Sequence, residues 1–315
     1  MPSRYPRIDP QGVKTRSIAD RAHKVRVSDF GRPSKGEGFF LEGLPRQLKA
    51  QDWLEFCRSL AGAFKAGKPV IVMLGAHVVK VGCSPYLIDW VERGFLTAVA
   101  FNGATAIHDL EIAVWGETSE DVAAGLEDGT FGMVEETPRF IARAAERALA
   151  GGLGLGEALG EDILNADAPN QQASILAACS RCGVPLSVHV AIGTDTIHQH
   201  PAVKGGALGE TSMTDFHIFS AAVSRLSKAS VVMNLGSAVI LPEVFLKALT
   251  LSRNLGHSCQ GLITADFSMI QQYRPTVNVV GRPTTSGGGK GYSFIGHHEL
   301  MLPLLHRSVE ELLRG

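Results

Sequence analysis

Three short segments of this 315-residue chain collect the side chains best suited to moving protons. The first is His108-Asp109-Leu110-Glu111, the second Asp195-Thr196-Ile197-His198-Gln199-His200, and the third His297-His298-Glu299. Histidine changes charge near neutral pH, so it can serve as base, acid or metal ligand, and a carboxylate beside it can orient the ring or act itself. His108 and His198 are the candidates for a general base, with Asp109, His200 and His297 sharing the pocket. His198 and His200 stand two apart. In extended backbone both rings turn to one side, a spacing a metal ion can use together with Asp195 and a residue near His108 or His297. Loop histidines bonded to backbone are the plain alternative. His189, inside an apolar run, reads as a core histidine. Glu299, in a first helical turn, is favoured there by the helix dipole whatever its role. The chain has no Gly-x-Ser-x-Gly element of the kind that presents a nucleophilic serine.

Apolar runs buried on both faces are needed to position these segments. Such runs occupy 69–74, 95–101, 185–192, 230–235 and 261–264, and they suit strands of a parallel sheet. Between them, apolar residues recur at helical spacing over 50–66, 85–92, 137–150, 172–182, 213–226, 242–255 and 299–313. This alternation predicts an α/β fold with a mostly parallel sheet, which binds ligands outside the carboxyl ends of its strands. Five expected strand ends carry small or polar residues: Gly75-Ala76-His77, Asn102-Gly103, Gly193-Thr194-Asp195, Gly236-Ser237 and Thr264-Ala265-Asp266. Turn residues are needed at any strand end, but five such ends in one sheet point to a ligand site.

Composition removes some partner classes. Hydrophobic residues make up 45%, charged residues 19%, and the net charge is −1, so nothing marks a nucleic-acid or anionic-membrane surface. Residues 1–35 read as a basic arm, and 36–315 as a single α/β domain. No apolar run reaches the roughly 20 residues a membrane helix needs. Five cysteines without an apolar export segment lead to the expectation of reduced thiols in a cytoplasm. Cys179 and Cys182 form an isolated CxxC, read as helix packing. Two glycine motifs are set aside. Gly152-Leu153-Gly154-Leu155-Gly156 follows a helix, not the strand a dinucleotide fingerprint requires. Gly287-Gly288-Gly289-Lys290-Gly291 lacks the spacing and the Ser or Thr of a P-loop, and reads as a loop able to close on a ligand.

The strand-end segments, in this order, resemble the deoxyhypusine synthase family. The resemblance runs diffusely from about Phe40 to Leu313. It is clearest at Val99 to Asp109, at Gly193-Thr194-Asp195, at Asn234-Leu235-Gly236-Ser237-Ala238, at Thr264-Ala265 and in the ending Glu299 to Leu305. It implies a Rossmann-like, doubly wound subunit, a homotetramer with active sites between subunits, bound NAD and a polyamine substrate. Carried onto this chain, the cofactor contacts fall at Asn102, Gly103, Asp195, Gly236, Ser237, Thr264 and Ala265; Gly75, at the first strand end, and His298 join them as candidate cofactor contacts.

The departures rewrite the chemistry. Where the family has its catalytic lysine, this chain reads Val280-Gly281-Arg282-Pro283, and arginine cannot form the imine. The family's Lys-His-His is replaced by Val239-Ile240-Leu241. Lys290 and Lys80 are the candidates to stand in for the missing lysine. The expectation is an NAD-dependent, deoxyhypusine synthase-like enzyme that acts on a small polar substrate, polyamine-like ones included, and does not carry out deoxyhypusine synthesis. Two alternatives remain: a metal-dependent hydrolase or lyase built on His198 and His200, and a non-catalytic ligand-binding protein.

Overall fold

The computed structural model describes residues 40–314 together with Lys14. The basic arm expected over 1–35 falls, Lys14 apart, outside the described residues. The chain divides into two compact units, 1–51 and 52–315. The described part of the first holds helix α1 (Phe40–Gly43) and the opening turn of α2 (Leu48–Lys65).

The second unit is one six-stranded sheet with helices on both faces. In chain order it runs β1 (Val70–Leu74), α3 (Ala76–Lys80), α4 (Ser84–Glu92), β2 (Ala98–Asn102), α5 (Gly103–Trp115), α6 (Val122–Asp128), α7 (Glu136–Gly151), α8 (Leu155–Asn165), α9 (Ile175–Cys182), β3 (Leu186–His189), α10 (Gly205–Ser224), β4 (Val231–Leu235), α11 (Ile240–Asn254), β5 (Ile263–Ser268), α12 (Tyr273–Pro275), a π-turn (Thr276–Gly281), β6 (Lys290–Ile295) and α13 (His298–Arg314). Every pairing is parallel and the strand order is β3-β2-β1-β4-β5-β6. This is a Rossmann-like, doubly wound arrangement. The chain winds outward from β1 to β3, returns across the sheet, and winds outward again from β4. β1 and β4 therefore flank the topological switch point.

The burial pattern explains why these residues make strands. All five residues of β1 and all five of β4 are buried, as a central parallel strand requires. On one face Ile71, Met73, Ala98, Ala100 and Val232 pack against Phe219 and Val223 of α10 and Phe245 and Leu249 of α11. On the other, Trp53 and Phe56 of α2 meet Phe267 of β5 and Phe294 of β6 at ring separations of 5.0–6.1 Å, counting the Phe267–Phe294 pair.

Several boundaries differ from the sequence reading. β3 stops at His189 instead of continuing to Ile192, because the Val190 N–H turns away to the Ser212 hydroxyl. β5 runs on to Ser268, so Thr264-Ala265-Asp266 lies within a strand and not at its end. The helix over 172–182 is interrupted at Ser174, whose side chain caps α9 at the Ala177 N–H. α10 starts at Gly205, eight residues before the expected Met213. The Gly287–Gly289 loop leads straight into an unforeseen strand, β6. Among the described residues all five cysteines are free thiols, and only Cys182 is exposed. No described helix is long and apolar enough to cross a membrane.

Candidate functional site

A concavity lies beyond the carboxyl ends of β2 and β3. Helix α5 begins without a linker after β2. Asn102 caps it by accepting from the Thr105 N–H at 2.9 Å, and the Thr105 hydroxyl donates to the Leu74 carbonyl at 2.9 Å, tying the helix start to β1. From β3 the chain enters a tight loop in which His198 Nδ1 accepts from the N–H groups of Gly193 and Asp195, each at 3.1 Å. That loop lays Asp195 across Gly103. A cavity of about 610 Å³ opens between loop and helix, walled by Lys80, His108, Glu111, Glu117, Thr118, Glu120, Thr194 and Asp195 among others. Four carboxylates against one ammonium make it a place for a cation.

His108 and Glu111 project into this cavity because residues three apart share a helix face. The His108 Nδ1 lies 2.6 Å from the Thr118 hydroxyl, which donates to Glu111 Oε2 at 2.5 Å. The Thr137 hydroxyl donates to the other oxygen, Oε1, at 2.9 Å. Burial first, and Lys80 second, hold the His108 pKa down at about 4, although Glu111 lies 3.9 Å from the ring nitrogen. Desolvation outweighs the attraction here, so the ring is neutral at pH 7 and free to accept a proton.

Asp195 and His198 carry the site's orphaned polar atoms. Asp195 Oδ2 and His198 Nε2 are both buried without a partner. Because His198 Nδ1 accepts two N–H bonds, its proton sits on Nε2, an unmatched donor. Burial raises the Asp195 carboxyl above its usual range, while His198 and the Ala104 N–H pull it part-way back. A carboxylate acceptor and a ring N–H donor three residues apart match hydroxyls of a sugar, which both give and take hydrogen bonds. They fit the ribose of a dinucleotide. A pyrophosphate does not fit the same spot, because Asn102 and Asp195 already face the opening N–H groups of α5 and the cavity is acidic.

No protein-family model matches the sequence, and no curated protein matches it. Solved structures do. A LOR/SDH-type protein of Methanococcus maripaludis S2 superposes with a TM-score of 0.54 at 18% identity, over 84% of this chain and 71% of that one. AgrE, in a ternary complex with ornithine and NAD+, gives 0.54 at 16% identity, over 84% of this chain and 34% of that one. A deoxyhypusine synthase-type protein of Entamoeba histolytica gives 0.48 at 8% identity, too low to carry an argument. The likeness is one of fold. The chain spans about a third of AgrE.

Not every residue expected at the site is there. Asp109 neighbours His108 in sequence but points about 100° away around the helix. It is fully buried, and its carboxylate accepts from the Ser174 hydroxyl at 2.6 Å and from the N–H groups of Ile175 and Leu176 at 2.9 and 3.0 Å. It anchors the start of α9 and does not reach the cavity. Burial lifts its pKa to about 6. Thr264 and Ala265 are sealed inside β5, with no exposed surface for a cofactor. Lys290 begins β6, at the amino edge of the sheet, and pairs with Glu55; a parallel sheet puts that edge opposite the site. His200 is held by the Ala202 N–H to its Nδ1, and the exposed His297 stands 3.7 Å from Glu299; neither lines the cavity.

A second polar group forms at the switch point. Gly75 lies so close to β4 that a Cβ on it would meet the Gly236 carbonyl oxygen at 2.4 Å, and Gly236 itself has φ 78°. His298 packs on Gly236, bonds the Phe267 carbonyl through Nε2 at 3.0 Å, and leaves Nδ1 buried and unpartnered. Ser237 accepts from the Leu241 N–H at 3.2 Å at the start of α11. Gly75, Gly236, Ser237 and His298 thus gather beside, not within, the acidic cavity. Among the described residues, His198 and His200 gather no third metal ligand. Among the described residues, the three-ligand group is Asp89, His306 and Glu310, and Arg93 already pairs with both of its carboxylates.

Sequence reasoning missed Thr118, Glu117 and Glu120 in the cavity. The signal available was Gly116, which closes α5 in a left-handed conformation and turns the next residues back toward His108. It also missed Asp215, which is buried and accepts from the Gly156 and Val188 N–H groups at 3.0 and 2.8 Å.

Proposed function

We propose that the protein is an NAD-dependent enzyme acting on a small substrate that carries a cationic nitrogen, of the arginine or ornithine type. The observation that carries this reading is the cavity itself. It combines a neutral histidine with four carboxylates, one of them the orphaned Asp195, at the carboxyl edge of a Rossmann-like sheet, and the loop that carries Asp195 also holds the orphaned His198. AgrE, which shares the fold, was solved with NAD+ and ornithine, a pairing of the same two chemistries.

NAD, when bound, supplies a hydride acceptor. The protein's own groups do the rest. Asp195 and His198 would hold the ribose hydroxyls of NAD, and the Gly75–Gly236 contact keeps side chains out of the switch point. Glu117 and Glu120 attract the substrate cation and orient it. His108, neutral at working pH, takes a proton from the substrate nitrogen. Imine transfer through a lysine is not part of the reading, since Arg282 donates to Asn278 and Lys290 lies at the far edge.

The test is a turnover screen of ornithine, arginine and aliphatic diamines with NAD+, read as the appearance of reduced nicotinamide. Turnover of a member of this panel, abolished in His108→Ala, supports the reading. NAD binding without turnover on any cationic substrate removes the substrate half of it.

A further inference from the structure

We propose that Glu111, acting through the Thr118 hydroxyl, is a positioning device that fixes the tautomer of His108 and leaves its Nε2 as the proton acceptor of the cavity. The count of donor protons fixes the tautomer. A threonine hydroxyl has one proton. Thr118 gives that proton to Glu111 Oε2 at 2.5 Å, so toward His108 Nδ1, 2.6 Å away, it can only accept. Nδ1 must then carry the ring proton, and the lone pair stays on Nε2.

Glu111 is itself fixed. Its second oxygen takes the Thr137 hydroxyl at 2.9 Å, from the first turn of α7. The chain histidine, hydroxyl, carboxylate therefore spans α5, the segment after Gly116, and α7. When Nε2 accepts a proton, the charge is shared along Nδ1–H to the Thr118 oxygen and on to the Glu111 carboxylate. The other charged groups lining the cavity are Lys80 from α3, which opposes protonation, and Glu117, Glu120 and Asp195, which favour it. The role in turnover rests on the function proposed above; the tautomer does not.

The experiment is 15N NMR of the histidine side chains in the intact protein at neutral pH, with His108 assigned by its absence in His108→Gln. In the parent, His108 shows a protonated Nδ1 and an unprotonated Nε2. Thr118→Ser keeps that signature. Thr118→Val and Glu111→Ala, which removes the acceptor altogether, each lose it, the ring then populating the Nε2–H form common for free imidazole. A parent His108 in the Nε2–H form, or a Thr118→Val protein whose tautomer is unchanged, overturns the proposal. If Thr118→Val does not fold, Glu111→Ala decides alone, and an unchanged tautomer there overturns the proposal. None of these readings depends on substrate or NAD, so failure of the functional assignment leaves a separate result.

Discussion

A Cβ placed on Gly103 would sit 2.1 Å from Asp195 Oδ2, so the carboxylate occupies the space that any other residue at the start of α5 would fill. The glycine is therefore tied to the position of an acid 92 residues later, counting from 103 to 195. Gly103→Ala pushes Asp195 off the helix start. The moving part is the end of a side chain, so the fold tolerates it, with a stability change within about 1 kcal/mol by urea denaturation. NAD affinity falls about tenfold or more, the worth of a charged hydrogen bond. An unchanged affinity would detach Asp195 from ligand binding.

Asp109 gives the opposite pattern. Asp109→Ala leaves three buried donors at the start of α9 unpaired and costs about 2–4 kcal/mol of stability, with little direct effect on ligand affinity in the protein that remains folded. The pH dependence has a definite sign. Burial raises the folded pKa to about 6 from an ordinary 3.8, so between these values the folded chain holds the proton more tightly than the unfolded one. This contribution is fully present below about 4, is lost as pH rises to about 6, and is constant above. The stability advantage of the parent over Asp109→Asn should shrink across that window in urea titrations at successive pH values. An advantage that grows with pH would contradict the assignment.

His108 sets the acid limb of turnover. With its pKa near 4, the accepting form is complete above about pH 5, so kcat/KM shows no histidine-type break near 6.5 and falls only on approach to 4. His108→Ala lowers kcat by about 100-fold or more. A break near 6.5 that vanished in His108→Ala would show that the ring is not held neutral by burial.

Lys290 is predicted to be unimportant to the chemistry. Its exposed pair with Glu55 at the amino edge is worth about 0–1 kcal/mol. Lys290→Met should leave NAD affinity and turnover unchanged. Loss of turnover with the fold intact would restore the lysine to the mechanism.

The parallel sheet was legible because β1, β2 and β4 are short apolar runs bounded by glycine or asparagine, and nothing but burial on both faces explains them. Asn102, Gly103 and Asp195 were legible as strand-end residues and His108 as a residue just beyond one; Asp195 lies against Gly103 and shares the cavity wall with His108. The assignment of Asp109 failed for a reason sequence does not display: one step along a helix is about 100°, enough to send a carboxylate from the cavity into the core. Lys290 was misplaced because Gly287–Gly289 reads as an open loop, whereas the alternation of buried Tyr292 and Phe294 after it makes a strand. Thr118 was invisible because its role depends on Gly116 reversing the chain.

The most direct test of the central claim is calorimetric titration of the purified protein with NAD+, beside Asp195→Ala. One site per chain is expected, with an affinity about tenfold or more weaker in the variant. No binding at millimolar NAD+, or equal binding by parent and variant, would contradict it.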